Sequence, residues 1–308
     1  MASNVSQQCR KNSAWCVALG ITFLGVFLSA SAPAAVFTVN SPADVKDITP
    51  GDKLCHTGAT QPTCTLRAAI QEANALGGDH EIILPSLPPA NAYVLTMVDE
   101  LFITSSITIT GGGASTTIID GNKSTRPISR VLAMNAGTIV RISGVTIRNG
   151  SQSGESGGGI RNGGTLTLAS STVSGNSSTN SGGGISNTGT LTLISSTVSG
   201  NSTGNSSLSG GGGISNAGTL TLTNSTVSGN STTINGGGIT NFGTANLFNS
   251  TVTSNRADAD NNFVGTGGGV FNNVGATLTF QNTIIAENFD TFFGINECAG
   301  TLTSKWQQ

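Results

Sequence analysis

The chain is poor in charge. Its 308 residues include 13 Lys and Arg and 15 Asp and Glu, 9% in all, with a formal net charge of −2. An ordinary soluble domain carries about 25% charged residues. No basic or acidic field is available, which argues against nucleic acid or another polyanion as partner. Aromatic residues are 5%, with one Tyr and two Trp, so platforms for stacking sugars are few. The two histidines, His56 and His80, stand apart in the sequence and neither reads as a metal ligand. Only one stretch, Trp15 to Leu28, is apolar enough to matter to a membrane.

Glycine, serine, threonine and asparagine take the place of charge, and they recur in order. A block reading GGG-[IV]-x-N, then TLTL or a variant, then STVSGN or a variant repeats through the second half. Its glycine runs end at Ile160, Ile185, Ile214, Ile239 and Val270, and its closing asparagines are Asn176, Asn201, Asn230, Asn255 and Asn288. The Ile-to-Asn distance is 16 four times and 18 in the last block. A period of 20 to 50 residues signals a solenoid or propeller. Leu166, Leu191, Leu220 and Leu278 begin alternating apolar pairs, as half-buried strands require. Val173, Val198, Val227, Val252 and Ile284 form a second apolar file, and the Ile160 series a third. Three short strands per repeat describe one coil of a parallel β-helix. The repeats are too short for propeller blades and lack the helical half of a leucine-rich repeat.

The ends differ from the repeats. Arg10 and Lys11, the apolar run and Ala32-Pro33-Ala34 fit a secretory signal peptide over 1–34. The chain is therefore expected at the cell surface or outside the cell, with no transmembrane span once processed. In that compartment Cys55 and Cys64, which bracket a polar ten-residue loop, are expected to pair, leaving Cys298 over. Leu66, Ala69, Ile70, Ala73 and Leu76 recur at helical spacing, with Thr65 as N-cap and Gly77 as stop. A solenoid needs an atypical element over each end, and this helix is placed to cap the N-terminal one. Residues 35–100 thus read as cap and first coils, 101–290 as the repeat solenoid, and 291–308 as an irregular tail that looks truncated, without an evident cap.

Cys64-Thr65-Leu66-Arg67-Ala68-Ala69-Ile70-Gln71-Glu72-Ala73-Asn74 resembles the CSLREA domain of bacterial exported proteins, with Thr65 for Ser and Ala68 for Glu. Cys55, Phe37-Thr38-Val39-Asn40 and Ile82-x-Leu84-Pro85 also fit it. The GGGI blocks are similar to polymorphic outer-membrane-protein repeats, although Val173 stands where those have Phe. Both resemblances imply the pectate-lyase-like superfamily. The expected fold is accordingly all-β: a right-handed parallel β-helix solenoid with an N-terminal capping α-helix.

That superfamily contains enzymes acting on polysaccharides, so catalysis has to be weighed. Glycoside hydrolysis needs two facing carboxylates about 5 to 10 Å apart, and lyase chemistry needs a base. From Val131 to Asn288 the acids are Glu155, Asp258, Asp260 and Glu287, and the bases Arg141, Arg148, Arg161 and Arg256. None recurs at matching positions on neighbouring coils. No catalytic residue, metal ligand or cofactor is assigned. Asp258 and Asp260 could hold calcium but read better as a solvated turn. The files of Asn176, Asn201, Asn230 and Asn255 read as structural ladders. Between each closing Asn and the next GGG the length varies from 6 to 12 residues. These insertions fall on one edge, where surface glycans or proteins of a host or neighbouring cell would be met. The expected function is an exported, non-enzymatic, adhesin-like binding rod. The alternative is a polysaccharide lyase or glycoside hydrolase.

Overall fold

A computed structural model describes residues 34–58, 63–88, 91–125, 129–204, 210–262, 264–291 and 294–300. The expected signal peptide and residues 301–308 of the tail lie outside the described residues, apart from Ala34. The repeats fold as stacked coils, and the strands of successive coils pair into four sheets. The leucine sheet has nine strands, from Val36–Thr38 and Asp79–Leu84 to Thr277–Gln281. The valine sheet has eight, from Tyr93–Val94 to Ile284–Ala286. The isoleucine sheet also has eight, from Leu101–Ile103 to Cys298–Gly300. Eight rungs make seven full turns from first to last.

The fourth sheet was not expected. Its strands are pairs such as Ser177–Ser178, Ser202–Thr203 and Ser231–Thr232, set directly after the closing asparagines. Each regular coil therefore has four strands, not three. Pairing is parallel throughout, save for Gly294–Ile295 against Phe289–Asp290.

Register is strict because the side-chain period of a strand is two, and a one-residue slip would turn every leucine outward. Leu166 aligns with Leu191, Leu191 with Leu220, and the file continues through Ala245 to Leu278. All five are buried, as are Ile160, Ile185, Ile214, Ile239 and the valine file from Val173 to Val252. In the last coil Val252 aligns with Ile285 rather than Ile284, which is 61% exposed. Phe280, at the end of the second leucine file, is exposed as well.

The triple glycine makes the sharp entry into each isoleucine strand. Gly182 sits at φ +63°, a conformation other residues resist. A Cβ on Gly183 would lie 2.2 Å from the carbonyl oxygen of Ser202, in the fourth-sheet strand that ends the same repeat. The turn from valine strand to fourth sheet also uses a left-handed residue, but it is Gly175, Gly200 or Gly229 and not the asparagine that follows.

Those asparagines form a buried ladder. Asn176 Nδ2 donates to Asn201 Oδ1, Asn201 to Asn230, Asn230 to Asn255, and Asn255 to Asn288, each at 2.9 Å. The backbone N–H of Asn176 donates to the same Asn201 oxygen at 3.0 Å, which fixes which amide atom faces which coil. A second ladder runs from Asn162 through Asn187, Asn216 and Asn241 to Asn272, with spacings of 2.7 Å. A third, of serine, links Ser171, Ser196, Ser225 and Ser250 through backbone N–H to hydroxyl bonds.

The helix Leu66–Leu76 closes the N-terminal end. The Thr65 hydroxyl accepts from Ala68 N–H, and the Gly77 N–H donates to the Ala73 carbonyl. Leu66, Ala69, Ile70 and Ala73 pack into the same core as Phe37, Val39 and Ile82. Cys55 and Cys64 are joined by a disulfide. Buried Arg67 bridges Asp44 and the carbonyls of Asp99 and Glu100, and buried Glu72 accepts from the N–H groups of Gly51 and Lys53. The motif thus clips the 41–58 segment onto the first coil. Past the last closing asparagine the ladder changes its acceptor. Glu297 accepts from Asn288 N–H at 3.1 Å and Nδ2 at 2.7 Å, taking the place of the next asparagine.

Candidate functional site

Charge gathers at one place on the solenoid wall, where the first two coils meet the repeats. Strands Leu101–Ile103 and Leu132–Met134 lie side by side, and the residues just ahead of them bring Glu100 and Arg130 together. Arg130 is 1% exposed. Its Nε lies 3.0 Å from Glu100 Oε2 as an ion pair without hydrogen-bond alignment, and its Nη2 meets Glu155. Glu155 belongs to the insertion before the first GGG. Arg130 Nη1 has no hydrogen-bond partner among the described residues.

Two clefts flank this cluster. One, of about 450 Å³, is bounded by Asn135, Glu155, Arg161, Asn180, Ser186 and Thr188. Arg161 is outward-facing and exposed, because Ile160 and Asn162 on either side of it point inward. The other, of about 330 Å³, lies against the helix, between Lys46, Asn74, Asp99, Glu100 and Phe102. The arrangement offers hydrogen-bonding groups of both signs to a polar ligand. Glu100 and Glu155 are engaged with Arg130, and Asp99 with Lys46 at 3.4 Å.

Glu100 and Arg130 escape a reading confined to the regular repeats. The signal available was positional: each directly precedes or nearly precedes an apolar strand, and the two strands pair.

Asp258 is buried, at 1% exposure, and is not on a solvated turn. Its Oδ1 accepts from Asn262 N–H at 3.0 Å, its carbonyl from the Thr291 hydroxyl, and its Oδ2 has no partner among the described residues. The loop backbone buries it by folding back on Ile234. Asp260 accepts from Asn262 Nδ2. Among the described residues no three His, Cys, Asp or Glu side chains converge as a metal-binding group. His80 is buried, with Nδ1 accepting from Ala35 N–H at 3.0 Å. His56 meets Asp52 at 3.0 Å and Thr49 at 3.1 Å. The hydrogen bond to Asp52 raises the His56 pKa, and the Thr49 hydroxyl followed by His56 lowers that of Asp52. Free Cys298 is half-buried, and burial with neighbouring Glu297 pushes its thiol up to about 11. The turn insertions leave the fourth sheet on one edge, with 205–209 outside the described residues.

No protein-family description matches the sequence, and no curated protein matches it. The structure is similar to the crystal structure of pectate lyase Pel9A, with a TM-score of 0.56 and 14% sequence identity, covering 89% of this chain and 69% of that one. At that identity the likeness gives the fold, a right-handed parallel β-helix.

Proposed function

We propose that the chain is an exported, non-enzymatic β-helix rod that works by binding, at the cell surface or outside the cell. The observation that carries this reading is how its few charges are used. Arg130 is held between Glu100 and Glu155, Arg67 by Asp44, and Arg148 by Asp120 at 2.8 Å. A catalytic acid or base has to be free to exchange a proton, whereas these groups hold coils together. The disulfide suits an oxidising compartment, and among the described residues no helix is long and apolar enough to cross a membrane. The clip made by Arg67, Glu72 and the Cys55–Cys64 disulfide gives the CSLREA-like motif a physical role and supports assigning 35–100 to that domain; the basic and apolar pattern of 1–34 supports a signal peptide there. The GGGI blocks support kinship with polymorphic outer-membrane-protein repeats. The partner in this reading is a surface glycan or a protein of a host or neighbouring cell, met at the insertion edge and the Arg161 cleft.

A second reading has its own support: the fold likeness to a pectate lyase and the two clefts at Glu100, Arg130 and Glu155. In that reading the chain cleaves a polysaccharide, and Arg161 faces the substrate. One assay separates the two. The purified protein is incubated with a panel of uronate and neutral polymers, with and without Ca²⁺, and reducing ends and unsaturated products are followed. No product is expected. Turnover that disappears in Glu155→Gln or Arg161→Ala would establish the enzyme instead.

A further inference from the structure

Over its last five strands, beyond Arg141, which aligns with Thr167, the outer face of the leucine sheet is set apart by its uniformity. Thr165, Thr190, Thr219, Thr244 and Thr277 stand in one aligned file, and Thr167, Thr192, Thr221, Asn246 and Thr279 in the next. These five strands contain no charged residue. The threonines of both files are exposed or half-exposed. Apart from Thr279, which bonds Asn246, their hydroxyls make no hydrogen bond to another described residue. A third outward file, Ala169, Ile194, Thr223 and Phe248, borders them with apolar surface; Ile194 is 40% exposed and Phe248 36%.

We propose that this face binds ice. A soluble protein ordinarily covers an exposed sheet with mixed charges; here the same neutral group is repeated instead. Threonine is β-branched and stiff at χ1, so in matching backbone positions each rung presents its methyl and hydroxyl in the same way. The files repeat with the strand separation of about 4.8 Å along the solenoid and about 6.7 Å along each strand. Two waters bonded tetrahedrally to a third at about 2.75 Å lie about 4.5 Å apart. Hydroxyls on successive rungs can therefore stand in for second neighbours in a tetrahedral water lattice, while the methyls fill the space between. The interior ladders of Asn and Ser hold the spacing from within. A carbohydrate lattice is the weaker match. Sugars are gripped by aromatic faces and multidentate polar groups, and single hydroxyls offer neither.

The test uses the purified protein in three measurements: thermal hysteresis, ice-crystal shaping and partition into a slowly growing ice front. The protein is expected to shape crystals and enter the ice. The pair Thr192→Tyr with Thr221→Tyr at the centre of the face should lower partition at least about tenfold, ~1.4 kcal/mol of binding. Thr226→Tyr on the valine sheet should not. Unchanged circular dichroism and melting show that each variant folds. If the tyrosine pair does not fold, Thr192→Val with Thr221→Val keeps the branched shape, removes only the hydroxyls, and should still weaken partition. Exclusion of the unaltered protein from ice overturns the proposal, as does full partition by the folded variants. Retention on microcrystalline cellulose with the same threonine dependence, and no effect on ice, overturns it in favour of a glycan surface.

Discussion

Asn201 satisfies four hydrogen bonds with one buried amide. Its Oδ1 accepts from the N–H and the Nδ2 of Asn176, and its Nδ2 donates to Val173 O and Asn230 Oδ1. Asn201→Ala strands two buried backbone groups at about 1–3 kcal/mol each, so urea unfolding should report a loss of about 2–6 kcal/mol. Asn201→Asp should do no better, because a carboxylate supplies acceptors where two donors are needed. A loss below about 1 kcal/mol for the alanine variant would mean that the ladder is ornamental. Asp44 gives the pH counterpart. Burial on its own raises its pKa, but the hydrogen bond from Arg67, the Met97 N–H, the Arg67 charge and the Thr96 N–H together hold it below the ordinary value. A depressed carboxylate contributes stability above its unfolded pKa of about 3.9, and that stability is lost as pH falls through the lower folded value. Asp44→Asn should therefore melt earlier at neutral pH and show a shallower decline below about pH 4, read from melting temperature against pH.

Among the elements, the helix was legible and the fourth sheet was not, for physical reasons. Thr65, the apolar spacing from Leu66 to Leu76 and Gly77 mark a helix with both ends signed. Ser177–Ser178 and its equivalents are two residues long and polar, too short to show alternation, so only the stacking of coils reveals them as strands. The Ile284–Ile285 pair was ambiguous by type. Counting back from the closing asparagine resolves it, since Val252 and Ile285 both lie three residues ahead of theirs. The cluster of Arg130, Glu100 and Glu155 was hidden because its members sit in irregular coils, where the repeat gives no register. Ile70→Asp puts a charge under the cap, and should cost several kcal/mol and promote association through the opened end, seen by light scattering. Reducing the Cys55–Cys64 bond releases a ten-residue loop, and the Cys55→Ser, Cys64→Ser variant should lose about 2–3 kcal/mol in denaturant unfolding.

In the whole molecule each coil touches mainly its neighbours, so stability adds along a line. Leu220→Ala in a central coil should cost about 2–5 kcal/mol, and hydrogen exchange should show the damage confined to adjoining rungs. Protection lost equally at Leu84 and Leu278 would contradict a linear rod. The line also has a direction. In both ladders each amide donates to its neighbour one coil nearer the C-terminus, and in the main ladder the second N–H goes back to a carbonyl of the preceding coil. Peptide dipoles in sheets largely cancel, but along these ladders each side-chain oxygen faces the preceding coil, so the amides share one orientation along the axis. Their positive end is C-terminal, where the Glu297 carboxylate receives it, much as acidic side chains sit at the positive end of a helix. The polarity belongs to the repeats from Asn162 to Asn288, and a carboxylate rather than another amide receives the main ladder's last donor.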